Sequence, residues 1–256
     1  MLKNKKILIM GIRNRWSIAY GIAKSAYENG AELIFTYMGQ ENKEKIEELI
    51  SEFKGSKAYM LNDAANDDLV EDVFHKIKIE KGKIDGIVHA IAHAYTDDLH
   101  NDFVNTSKEG YLHAIEVSSY SFVSVVRIAK KLNLLNKGAS FVTLTYYGSE
   151  KVVKNYNIMG VAKSALETSV KYLANDIGKD DMRVNAISAG PIKTLSAKGI
   201  KDFNTILDVV EEKAPMHKNI TIEQVGNVST FLLSNMSEAI TGQIIYVDNG
   251  YNIMGV

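Results

Sequence analysis

The chain has 256 residues, 46% hydrophobic and 24% charged, proportions of a globular protein long enough to bury a sizeable core. Lys plus Arg is 30 against 31 for Asp plus Glu, so the net charge is −1, without the basic surplus of a dedicated nucleic-acid binder. Cysteine is absent, which excludes disulfides, thiolate metal sites and a thiol nucleophile and fits a reducing, cytoplasmic setting, and no apolar run approaches the length of a membrane span.

The N-terminal apolar run is too short for a secretion signal. Lys6–Met10, ending at Gly11, reads instead as a buried strand and a turn. Ser17 caps a helix from Ile18 to about Asn29, and Gly30 stops it. Glu32–Tyr37 is a second buried strand and Asn42–Phe53 a charged amphipathic helix. Lys57–Met60 is a short strand, Asp67–Glu80 a helix, and Lys83–Ala92 carries the fourth strand. Ala94–Asn105 is polar and irregular, and Ser107 opens a long helical pattern to about Leu132. Ala139–Tyr146 is a fifth strand, the helix of Tyr156 runs to about Ile177, and Arg183–Ser188 is a sixth strand. Helical patterns at Phe203–Glu212 and Ile222–Leu233 lead to a seventh strand, Gln243–Asp248.

Apolar strands alternating with helices imply right-handed crossovers and a parallel sheet covered on both faces. The expected class is α/β: one doubly wound domain over residues 1–256, with a seven-stranded parallel sheet and no linker or repeat. Ligands in such sheets bind beyond the carboxyl ends of the strands.

After the first strand, Gly11 begins a turn and the Ser17–Ile18 amides open a helix, an anion site fit for a pyrophosphate. The full G-x-G-x-x-G fingerprint is missing, and a plain strand–turn–helix fits the segment as well. After the second strand neither a carboxylate nor an Arg follows Tyr37 directly; Glu41 and Lys43 come later and point in opposite directions. The absence of a nearby Arg leans toward NADH and leaves NADPH open. Asp63, after the third strand, suits an adenine amino group or an ordinary surface turn. Ala90, Ile91 and Ala92, after the fourth, let a ribose approach the backbone or simply pack tightly. His89 and His93 lack the spacing of a metal site and read as non-ligands, so no metal is expected. Gly190 and Pro191 break the sixth strand, and Thr194 offers a hydroxyl to phosphate or carboxamide.

Tyr156 and Lys163 are seven residues apart, about 700° of helix, so both side chains face nearly one way, with Gly160 leaving the surface between them bare. A phenol and an ammonium on a common cleft suit an oxygen-bearing ligand; an exposed Lys and an interfacial Tyr have the same spacing.

The chain resembles the bacterial enoyl-acyl-carrier-protein reductases, a divergent branch of the short-chain dehydrogenase superfamily with a Rossmann fold. The resemblance runs over nearly the whole chain. It is carried by SIAYGIA at Ser17, FTY at Phe35, SSYSF at Ser118, YNIMGVAKSALE at Tyr156, RVNAISAGPIKTLSAKGIKDFN at Arg183, VGN at Val225 and the TGQIIYVDNGYNIMG ending. The seven-residue Tyr–Lys spacing is its specific part, since most of the superfamily uses four. The resemblance implies NAD(P)H-dependent reduction of the trans-2 double bond of enoyl thioesters on acyl carrier protein, the last step of fatty-acid elongation. It also implies a homotetramer. Gly11, Ser17 and Ile18 would cradle the pyrophosphate, Asp63 and Ala64 would meet the adenine, and Ala90, Ile91 and Ala92 would line the ribose path. Lys163 would hold the nicotinamide ribose, and Ile192 and Thr194 the carboxamide and phosphate. Tyr156 would bond the thioester oxygen with Tyr146 beside it, and Ala94, Met159, Ser196 and Ile200 would complete the acyl site. Residues near 195–214 would form a mobile substrate cover.

Four positions depart from the family pattern: Arg13–Trp16 in the first turn, His93 for a usual Phe, Lys154 for a small residue, and Asn249 before the last glycine. Two other readings stay open: a reductase of simple ketones or aldehydes, and a nucleotide-binding protein without activity.

Overall fold

The computed structural model describes residues 1–255, with the side chains of all of these except Ser196 and Lys198. Its strands are β1 (Lys6–Met10), β2 (Glu32–Tyr37), β3 (Lys57–Met60), β4 (Ile84–His89), β5 (Leu135–Thr145), β6 (Arg183–Ala189) and β7 (Ile244–Val247). They form one parallel sheet in the order β3-β2-β1-β4-β5-β6-β7. This is the expected doubly wound Rossmann arrangement. The order reverses between β1 and β4, and the crevice for a ligand opens at that point.

The helices are α1 (Ile18–Glu28), α2 (Lys43–Ile50), α3 (Asp67–Lys81), α4 (Thr96–His100), α5 (Lys108–Ile115), α6 (Ser121–Lys131), α7 (Asn157–Gly178), α8 (Phe203–Lys213) and α9 (Ile222–Leu233). Alternation along each strand sends neighbours to opposite layers. Leu8 and Met10 of β1, Ile87 of β4 and Phe141 of β5 meet Phe74 of α3, Phe122 of α6 and Leu166 of α7. Ile7, Ile9, Val88 and Val142 meet Ile22 of α1 and Leu232 of α9 on the other side. A strand buried on both faces has no polar alternation to keep, which is why these strands read as continuous apolar runs. Each fully buried aliphatic or aromatic side chain contributes about 1.5–3 kcal/mol.

Local signals set the helix ends. Ser17 accepts from the Tyr20 amide, Asn66 from Leu69, and Ser107 from Gly110. Thr221 and Gln224 form a reciprocal capping box at α9. α1 and α9 cross closely because a Cβ on Gly21 would collide with the Ile222 carbonyl.

The structure corrects four expectations. α2 stops at Ile50, short of Phe53. The stretch 94–105 is not irregular: it holds α4 and a single tight turn, Phe103–Asn105. The long helix from Ser107 is interrupted at Glu116–Tyr120 by a π turn between α5 and α6. Tyr156 precedes α7 as its cap residue, between Asn155 and Asn157, whose φ angles are 64° and 36°. Its position relative to Lys163 is therefore set by a turn, not by two turns of regular helix.

Candidate active site

The site forms where the ends of β1, β4, β5 and β6 meet the start of α7. Tyr146 leaves β5 in extended conformation, and its ring meets that of Tyr156 edge-on, centroids 4.9 Å apart. Both rings belong to an apolar cluster with Leu99, Ala114, Ile158, Met159 and Ala162, against which Ala94 and Ile200 pack. Five predicted substrate residues, Ala94, Tyr146, Tyr156, Met159 and Ile200, thus share one wall. The Ser196 side chain lies outside the described residues.

Gly160 does not leave a bare surface between Tyr156 and Lys163. A Cβ there would lie 2.5 Å from the Gly148 carbonyl oxygen, and a Cβ on Gly148 would lie 2.5 Å from Cδ1 of Tyr156. The two glycines let the loop after β5 lie directly against α7 and support the Tyr156 ring from behind.

Lys163 is buried and donates to the Leu144 carbonyl at 2.8 Å. Burial pushes its pKa down to about 8, and the neighbouring Glu167 opposes that shift. Burial raises the pKa of the Tyr156 phenol, with Tyr146 and Glu167 adding to it, so the group is a neutral hydrogen-bond donor at neutral pH. The buried Tyr146 hydroxyl has no partner among the described residues. Its pKa is also raised, first by burial and then by Tyr251 and Asp248.

At the sheet's reversal, Gly11 has φ of 87° and comes so near β4 that a Cβ would sit 2.6 Å from the Ala90 carbonyl oxygen. Ser17 closes the loop by donating from its amide (3.2 Å) and hydroxyl (2.7 Å) to the Asn14 carbonyl. Of the two predicted amides, only that of Ile18 is left with no acceptor among the described residues. Ile91 packs on the core and Ala92 is exposed. Asp63 is exposed, accepting from the Ala65 amide at 2.8 Å, while Ala64 is buried in the core. Ile192 packs beside β6, and the Thr194 hydroxyl accepts from the Ala197 amide at 3.1 Å.

The matched family model, enoyl-(acyl carrier protein) reductase, spans residues 11–252. The chain belongs to this family. It is 49% identical to the enoyl-[acyl-carrier-protein] reductase [NADH] FabI of Bacillus cereus, covering 100% of this chain and 99% of that one. It is 47% identical to the [NADPH] FabI of Staphylococcus aureus, covering 98% of each. Among solved structures, the Bacillus cereus reductase with NADP+ and indole naphthyridinone superposes with a TM-score of 0.95 at 49% identity, covering 100% of this chain and 99% of that chain. The Aquifex aeolicus reductase also gives 0.95, at 42% identity and covering 100% and 99%.

Within this family setting, several contacts at the site are given by no motif. Glu167 is buried one turn beyond Lys163 and accepts from the Thr145 hydroxyl at 2.6 Å. The i,i+4 spacing of Lys and Glu was the available signal. The π turn points Ser118 inward, where its hydroxyl donates to the His93 carbonyl at 3.1 Å and contacts Sδ of Met159 at 3.7 Å. His93 is held by His113, with Nδ1 and Nε2 2.7 Å apart, and Tyr95 stacks on His113 at 4.3 Å. His89 is buried between Thr143 (3.2 Å) and Ser121 (2.9 Å). Trp16 is exposed beside the first turn, and Arg15 pairs with Glu52.

Proposed function

We propose that the chain reduces the trans-2 double bond of enoyl thioesters presented on acyl carrier protein, using NADH, as the last step of the fatty-acid elongation cycle. The observation that carries this reading is the Tyr156 phenol on an apolar wall shared with Tyr146, its helix tied to the end of β5 through Lys163. Such a wall takes an acyl chain, and the phenol meets the one polar atom that gains charge during conjugate addition.

The residues fit a nicotinamide dinucleotide. Gly11 keeps the backbone bare at the strand-order reversal, the Ile18 amide has no acceptor among the described residues, and the buried Lys163 ammonium has N–H groups beyond the one given to Leu144. When bound, the dihydronicotinamide supplies the hydride added at the β-carbon. Tyr156, neutral and donating, stabilises negative charge as it develops on the thioester oxygen. Lys163 holds the ribose hydroxyls, and Tyr146 fixes the Tyr156 ring edge-on. Gly11 and the Ile18 amide would hold the pyrophosphate while Ser17, its donors given to Asn14, shapes the turn; Asp63 and Ala64 would border the adenine, Ala90–Ala92 follow the ribose, and Ile192 and Thr194 meet the carboxamide end.

The preference for NADH rests on the turn after β2. No Arg or Lys occurs between Tyr37 and Lys43, and the Glu41 carboxylate folds back against Gly39, where it opposes a 2′-phosphate.

The segment 195–214 covers the substrate within a single domain of 256 residues. Ile200 touches the acyl wall, the His100 ring is 3.0 Å from the Gly199 carbonyl, and Asn155 donates to the Lys201 carbonyl at 2.8 Å. We also infer a cytoplasmic homotetramer that binds neither nucleic acid nor membrane. In support, no helix among the described residues is long and apolar enough to cross a membrane. β7 is an edge strand with every residue half-buried, and Tyr172 on α7 is 71% exposed. Light scattering tests the assembly.

The deciding experiment follows nicotinamide oxidation with crotonyl thioester and with acetoacetyl thioester, each with NADH and NADPH. Turnover on the crotonyl substrate alone supports the reading. Preference for acetoacetyl thioester makes the chain a ketone reductase, and NADH binding without turnover makes it a nucleotide-binding protein.

A further inference from the structure

Lys163 and Glu167 stand one helical turn apart on α7 and reach two consecutive residues of β5. Lys163 donates to the Leu144 carbonyl at 2.8 Å, and Glu167 accepts from the Thr145 hydroxyl at 2.6 Å. Both side chains are almost wholly buried, 6% and 8% exposed. The two are not in direct ion-pair contact; each is tied to the strand instead. A lone buried ammonium tends to shed its proton, and a lone buried carboxylate tends to take one up. Each charge therefore has a reason to be where the other is.

We propose that Glu167 is a positioning residue whose buried carboxylate keeps Lys163 protonated and held at the end of β5, ready for the hydroxyls of a nicotinamide ribose. The inference rests on the proposed function only in naming that ribose.

The groups around Lys163 leave this task to Glu167. His89, across on β4, is neutral, its pKa held down to about 3 by burial and then by Lys163 itself. Tyr156 on the same side and Tyr146 at the β5 end are neutral phenols with raised pKa values. Tyr246 on β7 donates to Glu150, and its phenol pKa is raised, first by burial and then by that bond. Asp248 is engaged by Gly250 (3.0 Å) and Asn252 (2.8 Å) beyond β7. Among these groups Glu167 is the charge that opposes the effect of burial on Lys163.

The test titrates the Lys163 side chain by NMR on the whole chain carrying lysine labelled with carbon-13 at Cε, in wild type, Glu167→Gln and Glu167→Asp. The wild-type midpoint is expected at about 8. In Glu167→Gln it falls by about one pH unit or more, and in Glu167→Asp, which withdraws the carboxylate by one methylene, it falls by less. NADH affinity, read by fluorescence, is then about fivefold or more weaker than wild type at pH 8 in Glu167→Gln and within about twofold at pH 6. A residue that merely packs would weaken binding equally at both pH values. An unmoved Lys163 midpoint in the variants overturns the proposal, as does the same loss of affinity at pH 6 and pH 8. Should Glu167→Gln not fold, the Glu167→Asp midpoint decides the question. Should the chain not bind NADH, the midpoints still read the Lys163–Glu167 link, so failure of the proposed function is seen separately.

Discussion

Gly160→Ala tests whether the loop after β5 positions Tyr156. The new Cβ lies 2.5 Å from the Gly148 carbonyl oxygen, whereas ordinary contact begins at 3.4 Å, a shortfall of 3.4 − 2.5 = 0.9 Å. The obstacle is backbone, so no side chain rotates away. Gly148 in turn lies against the Tyr156 ring, where even a Cβ would come within 2.5 Å. Relief therefore moves the loop, the Tyr156 ring, or both. Overpacking of this kind costs about 1–3 kcal/mol in stability. A shift of about 1 Å in a catalytic group costs about 100-fold in rate. We expect Gly160→Ala to lower kcat on crotonyl thioester by about that factor, with a Tm lower by about 2–4 °C for each kcal/mol lost. Gly21→Ala is the control: its Cβ collides with the Ile222 carbonyl where α1 crosses α9, in the layer on the other face of the sheet from α7. It should lower Tm and leave kcat of the folded protein near wild type. A folded Gly160→Ala protein with wild-type turnover refutes the positioning argument, and so does an equal loss of turnover in folded Gly21→Ala.

Tyr156→Phe removes the proposed donor to the thioester oxygen and should lower kcat by about 100- to 1,000-fold while leaving NADH affinity unchanged; steady-state and binding measurements check both. Tyr146→Phe removes a buried hydroxyl that has no partner among the described residues; it should raise stability to urea by about 1 kcal/mol while lowering turnover less than Tyr156→Phe. Glu41→Arg should raise the NADPH-to-NADH ratio of kcat/KM by about tenfold, the equivalent of about 1.4 kcal/mol, and an unchanged ratio removes Glu41 from cofactor choice. His89, held down to about 3 when folded, takes up a proton near 6.5 when unfolded. The unfolded chain then binds more protons below about pH 6, so stability is lost toward acid by about 1.4 kcal/mol per pH unit from this group. Urea unfolding at pH 7, 6 and 5 should show a slope smaller by about that amount in His89→Gln, and parallel curves would count against it.

The sequence by itself determined the elements and their order. Runs such as Ile7–Met10 are apolar at every position, as a strand covered on both faces requires, and Ser17, Asn66 and Ser107 mark helix starts through their own side chains. These signals lie within a few residues of what they specify. The spacing of Tyr156 and Lys163 and the small residues at the strand ends also pointed to the candidate site. Tertiary structure decided how those residues are held. Tyr156 is placed by a turn between two asparagines of positive φ and by Gly148, not by the period of α7. The π turn at Glu116–Tyr120 leaves no trace in the apolar period, yet it turns Ser118 onto His93 and Met159, 25 and 41 residues away. Glu167 finds Thr145 22 residues upstream, and His93 finds His113 20 residues on. Those partners meet only after the strands have paired and the helices have docked, because local propensity fixes a residue's backbone, whereas a buried charge or hydroxyl is satisfied by whatever the completed fold brings beside it.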